Sequence, residues 1–176
     1  MANTTRGALT NEIANELRRL TGGYQAWSVY HDHDGECRER LWAHVGSEPH
    51  GWSNLSGVDV LLGNADTREA VLVLEIEETA CSPKKLLGDV CALALSEYVT
   101  TESDDQRYAI TAKAELWVCF PVNPRGHQRK HSGDVLSLLQ ASWDGSFPLH
   151  VRLVTSDGRD TLLATVYGAL QERFGR

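Results

Sequence analysis

An α/β domain built on a central mixed β-sheet is what this 176-residue chain predicts, and three observations carry that expectation. Strand-like apolar runs and helix-like apolar stripes follow one another in the order α, several β, α, β, α, β, α. Hydrophobic residues make up 41% and charged residues 23%, enough for a sizeable core and too apolar for wholesale disorder. No repeat, low-complexity run or Pro/Ser linker divides the sequence, so residues 1–176 read as a single domain.

The elements follow from spacing and punctuation. Leu9, Ile13, Leu17 and Leu20 recur at helical intervals, Thr10 or Asn11 offers a cap, and Gly22-Gly23 ends the pattern. WSVYH (27–31) and ERLWAHV (39–45) flank DHDGE, whose Asp34-Gly35 is a strong turn dipeptide, so these two strands are expected to pair as a hairpin. A second hairpin joins VDVLL (58–62) to EAVLVLEIE (69–77) across GNADTR. A helix is predicted from Ser82 to Thr100. Ser82 caps it, Pro83 suits its first position, and Leu86, Leu87, Val90, Cys91, Leu93, Ala94 and Tyr98 form its apolar face. After a polar loop, ELWVCFPV (115–122) reads as a buried strand, followed by the polar segment 123–133. A short helix (134–143), a strand HVRLV (150–154) and a helix (161–174) bearing Leu163, Val166, Tyr167, Leu170 and Phe174 complete the chain.

Charge and cysteine usage narrow the function classes. With 17 Lys+Arg against 24 Asp+Glu the formal charge is −7, which argues against a polycationic nucleic-acid coat. Cys37, Cys81, Cys91 and Cys119 form no CxxC pair, so neither a zinc ribbon nor a thioredoxin-type motif is available, and reduced cytoplasmic thiols are expected. The stretch MANTTRGALTNEIANELRR turns charged where a secretory apolar segment would begin, and no run reaches ~18 apolar residues, so no membrane partner is expected. No GxxxxGK[ST], GxGxxG after a strand, HExxH or GxSxG occurs.

Three acids stand out because of where the strand period puts them. In AVLVLEIE, residues 71, 73, 75 and 77 share one face, so Glu75 and Glu77 emerge together at the end of an otherwise apolar strand. Asp59 lies in the preceding strand between Val58 and Val60, and a tight hairpin would bring all three together. Gathered carboxylates suit a hard divalent cation such as Mg²⁺, with Mn²⁺ as a substitute. Without a cation, close acids repel and raise one another's pKa values. The alternative is a hairpin edge carrying solvated charge, but acids are depleted in strands and Glu75 continues AVLVL directly. Lys84 and Lys85 follow at the start of the next helix. Lys84 borders the apolar face beside Leu87 and Cys91 and is the expected partner of the acids, whereas Lys85 is placed nearer solvent beside Asp89.

The run GVDVLL…AVLVLEIEE…SPKKLLGDV resembles the metal-binding core of the PD-(D/E)XK nuclease superfamily, which includes many restriction endonucleases. The resemblance spans residues 9–122 and implies a restriction-endonuclease-like core of order αβββαβ, here extended by a C-terminal αβα. By this resemblance Asp59 matches the aspartate of the second strand and Glu75 the first acid of the D/E-x-K pair. Glu77 stands in the lysine's place, as in the E-x-E minority, and Lys84 or Lys85 supplies the lysine from the helix. Val58 precedes Asp59 where the family usually has proline. The resemblance also implies a further metal ligand from the first helix, for which Glu16, flanking Ile13 and Leu20, is the candidate.

The expected function is that of a Mg²⁺-dependent endonuclease hydrolysing DNA phosphodiester bonds, with Asp59, Glu75, Glu77 and Glu16 at the metal and Lys84 or Lys85 at the phosphate. The basic segment carrying Arg125, Arg129 and Lys130 would contact DNA. A chain this small that cuts both strands of a palindrome would act as a symmetric homodimer. The alternative is a catalytically inactive DNA-binding or regulatory module on the same fold, with the change of Lys to Glu77 as its first sign of decay.

Overall fold

Described in the computed structural model are residues 7–32, 40–46, 54–78, 82–121 and 151–175. The expected short helix at 134–143, the turn at Asp34-Gly35 and the basic residues Arg125, Arg129 and Lys130 lie outside these segments. In chain order the elements are α1 (Ala8–Thr21), β1 (Trp27–His31), β2 (Leu41–His44), β3 (Asn54–Val58), β4 (Val60–Asn64), β5 (Glu69–Ile76), α2 (Pro83–Leu95), β6 (Tyr98–Thr101), β7 (Gln106–Ala109), β8 (Glu115–Pro121), β9 (Val151–Ser156) and α3 (Arg159–Phe174). They form an α/β fold around one mixed sheet. Among the described residues no helix is long and apolar enough to cross a membrane.

The sheet runs β1-β4-β5-β7-β6-β2-β3, with β8 added beside β5 and β9 beside β8. β4 runs antiparallel to both of its neighbours, β1 and β5, whereas β8 lies parallel to β5 and β9 parallel to β8. Such parallel pairings need crossovers, and α2 leads into the one between β5 and β8. The β4–β5 hairpin forms as expected. Asn64 closes its turn by accepting hydrogen bonds from the backbone N–H groups of Asp66 and Thr67, and Arg68 takes the left-handed conformation at φ 56°. A bulge at Val71 shifts the register, so that Gly63 opposes Ala70 while Leu62 opposes Leu72. Gly63 is required there, because a Cβ would lie 2.4 Å from the Tyr108 ring.

Beyond the bulge β5 sorts its side chains cleanly. Leu72, Leu74 and Ile76 enter a core shared with Ile13, Leu17, Leu162, Val166 and Leu170, so α1 and α3 cover that face. Val73 enters a second core with Leu61, Leu86, Val90, Leu93 and Val118, beneath α2. Glu75 and Glu77 therefore emerge under α2, as the period-two reading requires.

Four expectations are corrected. The strand at 27–31 pairs with β4, and β2 pairs with β3 and β6, so no hairpin joins 27–31 to 39–45. Apolar residues beside a turn dipeptide define strands well but not their partners, because pairing is settled across the whole sheet. The helix ends at Leu95, with Ser96 as its cap, and Tyr98 belongs to a strand. The β-branched run Val99-Thr100-Thr101 favours extension there, and β7 completes a hairpin in what reads as polar loop. A further strand, β3, precedes Asp59. Finally, α1 starts at Ala8, ahead of the expected caps, and Glu78 supplies its capping: the Glu78 carboxylate accepts from the N–H groups of Gly7 and Leu9 at 3.1 and 3.2 Å.

Candidate metal centre

Three elements meet at the C-terminal end of β5. The strand delivers Glu75 and, one step beyond its last residue, Glu77, whose N–H extends the parallel pairing by donating to the Cys119 carbonyl at 2.8 Å. Asp59 sits at the bend between β3 and β4. Its backbone N–H donates to the Leu74 carbonyl, and its own carbonyl accepts from Asp32. The Asp59 carboxylate accepts from the Ile76 N–H at 2.6 Å, which fixes it against the acid-bearing strand. The third element is α2. Ser82 caps it through the Lys85 N–H at 3.3 Å, and the first two turns place Lys85 and Asp89, four residues apart, over the strand end.

Carboxylate oxygens of Glu75, Glu77 and Asp89 lie within 4.8 Å of one another. Asp59 is outside this closest trio, yet it is electrostatically joined to it. Burial, the Asp59 charge and the Asp89 charge push the Glu75 carboxyl up to about 9. Burial pushes Asp59 up to about 7, against the opposing effect of the Ile76 hydrogen bond, with the charges of Asp32 and Glu78 raising it further. Asp89 is also raised by burial, and its buried Oδ2 has no hydrogen-bond partner among the described residues. Glu77 is 8% exposed, and its Oε1 is in direct contact with the Lys85 ammonium.

The sequence-predicted residues divide accordingly. Glu75 and Glu77 converge, Asp59 stands beside them, and Lys85 is the lysine that reaches them. Lys84 is exposed, and the lysine charge that acts on Asp59, Glu75 and Asp89 is that of Lys85. A wheel that sets Lys84 beside the apolar face through Leu87 and Cys91 is rotated too far. Leu87 is 39% exposed, whereas Leu86, Val90 and Leu93 pack into the core and bring positions 85 and 89 toward the strand. Glu16 is not at the cluster. It belongs to α1, on the opposite face of the sheet, where both its oxygens accept from Arg19 at 2.6–2.8 Å and hold its carboxyl below the usual range. Sequence reasoning missed Asp89 as a member. Its spacing from Lys85 was visible, but its role required the true orientation of the helix.

Among the described residues the donor set consists of carboxylate oxygens alone, which suits Mg²⁺, Mn²⁺ or Ca²⁺ and not a thiolate-preferring ion. The buried Asp89 Oδ2, unpartnered among the described residues, and the mutual repulsion of these acids are what a bound cation would relieve. Comparison with family models, curated proteins and solved structures returns no match for this chain.

Proposed function

We propose that this protein is a divalent-cation-dependent endonuclease that hydrolyses DNA phosphodiester bonds at the end of β5. The observation that carries the reading is the convergence of Glu75, Glu77 and Asp89, joined by Asp59 and faced by Lys85. The order α1, β1, β4, β5, α2, β8, with an antiparallel trio followed by a helix and a parallel strand, is compatible with the restriction-endonuclease-like core that the sequence resembles. The additional strands β2, β3, β6 and β7 lie outside that core.

Asp59 and Glu75 would hold the cation, with Glu77 and Asp89 as further ligands, or with Glu77 as the base that takes a proton from the attacking water. When bound, Mg²⁺ or Mn²⁺ supplies a Lewis acid for the phosphate and lowers the pKa of water. The Ile76 N–H keeps the Asp59 carboxylate aimed at the strand end. Lys85, with its half-exposed side chain, is the ammonium that would meet phosphate charge. The segment with Arg125, Arg129 and Lys130 would add DNA contacts, and action on both strands would use a homodimer in the cytoplasm.

A second reading, a DNA-binding or regulatory module without catalysis, is favoured by one observation: Glu77 stands where the family's lysine would be and engages Lys85 itself. Incubating plasmid and linear DNA with the protein and Mg²⁺ or Mn²⁺ separates the two. Wild type should cut, and Asp59→Ala and Glu75→Ala should lower the rate by about 10²-fold or more. DNA binding without metal-dependent cutting would favour the second reading, and neither cutting nor binding would end both.

A further inference from the structure

We infer that the Lys85 ammonium is the resident counter-cation of this acid cluster, and that a divalent cation enters by displacing it from Glu77. The inference rests on the metal-site reading above and says how that site is held together before the metal arrives.

The two partners of the ion pair differ in their freedom. Glu77 is 8% exposed, and its backbone is tied to β8 through the Cys119 carbonyl, so it cannot leave without unpacking the strand end. The Lys85 side chain is 53% exposed and approaches from the solvent side on a flexible four-carbon stem. Its charge also acts on Asp59, Glu75 and Asp89, so one ammonium offsets the charge of the whole group.

Asp89 shows what the lysine leaves undone. It lies one helical turn beyond Lys85, its carboxylate converges with those of Glu75 and Glu77, and its buried Oδ2 has no hydrogen-bond partner among the described residues. An ammonium on Glu77 satisfies one acid at short range, whereas a dication among three carboxylates can satisfy all of them. A monocation and a dication so close together repel, so the two occupants compete. Once displaced, Lys85 remains tethered at the first turn of α2, above the strand end, where phosphate charge would be its next partner.

This assignment gives Lys85→Met an unusual pair of effects: tighter metal binding together with slower cleavage. Mn²⁺ alone is titrated calorimetrically into wild type, Lys85→Met, Lys85→Gln, Lys84→Met and Glu75→Ala, and melting is followed with and without Mn²⁺. Both Lys85 variants should bind Mn²⁺ about tenfold more tightly than wild type and show a larger Mn²⁺-induced rise in melting temperature. Lys84→Met should match wild type, and Glu75→Ala should lose the stoichiometric site. Melting in metal-free buffer identifies any variant that has failed to fold, and the two replacements at position 85 serve as checks on each other. Stoichiometric binding seen only after Lys85 is replaced would also support the displacement. If wild type binds through Glu75 and the folded Lys85 variants bind equally or more weakly, the counter-cation role is overturned while the metal site stands. If neither wild type nor the Lys85 variants bind Mn²⁺, both readings fall.

Discussion

The two faces of β5 put the same backbone to opposite uses. On one side Leu72, Leu74 and Ile76 descend into an apolar core closed by α1 and α3, with no charge among them. On the other Val73 begins in the same manner, but the next two positions are Glu75 and Glu77, under a helix that adds Asp89 and Lys85. Apolar burial on the first face stabilises at roughly 25 cal/mol per Å² removed from water. Burial of acids on the second face acts in the opposite sense, because desolvation and mutual repulsion both disfavour the ionised carboxylates. One face thus holds the strand in place, and the other uses that rigidity to keep repelling groups together.

The largest effect should come from adjacent residues on opposite faces. Leu74 is fully buried, and Leu74→Ala should destabilise the fold by about 2–5 kcal/mol through lost transfer energy and the cavity left behind. Glu75→Gln removes the acid with little change in volume. At pH 8.5 in metal-free buffer it should melt at or above wild type while losing Mn²⁺ binding. Denaturant unfolding combined with Mn²⁺ titration checks the pair, and a Glu75→Gln protein as unstable as Leu74→Ala would erase the distinction between the faces.

The pH dependence of stability sharpens the same contrast at a smaller scale. Asp59 and Glu75 have folded-state values raised to about 7 and about 9, whereas the unfolded chain releases these protons near the ordinary carboxylate range, about 4. Between those limits the folded state binds more protons, so the stabilisation is fully present below about pH 4 and is lost as pH rises through 7 and 9. Metal-free wild type should therefore lose stability steadily between pH 5.5 and pH 9. Glu75→Gln should flatten much of that slope. Added Mn²⁺ should oppose it, because the cation binds the deprotonated carboxylates. A metal-free protein whose stability rises over this range would contradict the assignment.

Much of this arrangement was legible in the sequence because it depends on local periodicity. The β5 alternation, the β4–β5 hairpin, the Ser82 cap and the strand at 115–121 all follow from residues within a few positions of one another. What was hidden depends on distant partners. β1 pairs with β4 because the sheet as a whole selects neighbours, and Tyr98 is drawn into a strand by its pairing with Ala109. Within the site the same divide holds: Glu75 and Glu77 were readable from a two-residue period, whereas choosing Lys85 over Lys84 and adding Asp89 required the rotation of α2 about its axis. Leu86, Val90 and Leu93 set that rotation through core contacts invisible to a helical wheel on which Leu87 and Cys91 are equally apolar. Glu16 failed for a related reason, since its helix covers the face turned away from the acids.

Glu78 tests where the boundary between the two faces lies. It directly follows Glu77, but its carboxylate caps α1 through the Gly7 and Leu9 N–H groups and pairs with Arg159 of α3 at 3.0 Å. Those partners belong to the apolar side of the sheet, so its work there is structural even though its charge is felt by Asp59. Glu78→Gln keeps an oxygen that can accept from the helix N–H groups and removes the charge that favours the helix terminus and Arg159. The expected cost is about 1 kcal/mol, seen as a modest fall in melting temperature. Mn²⁺ affinity should stay within about twofold of wild type, since the lost charge lies behind the site and its ligands are unchanged. A tenfold loss of Mn²⁺ affinity at unaltered stability would instead place Glu78 among the metal-facing acids, and the division between the faces would fall one residue later in the chain.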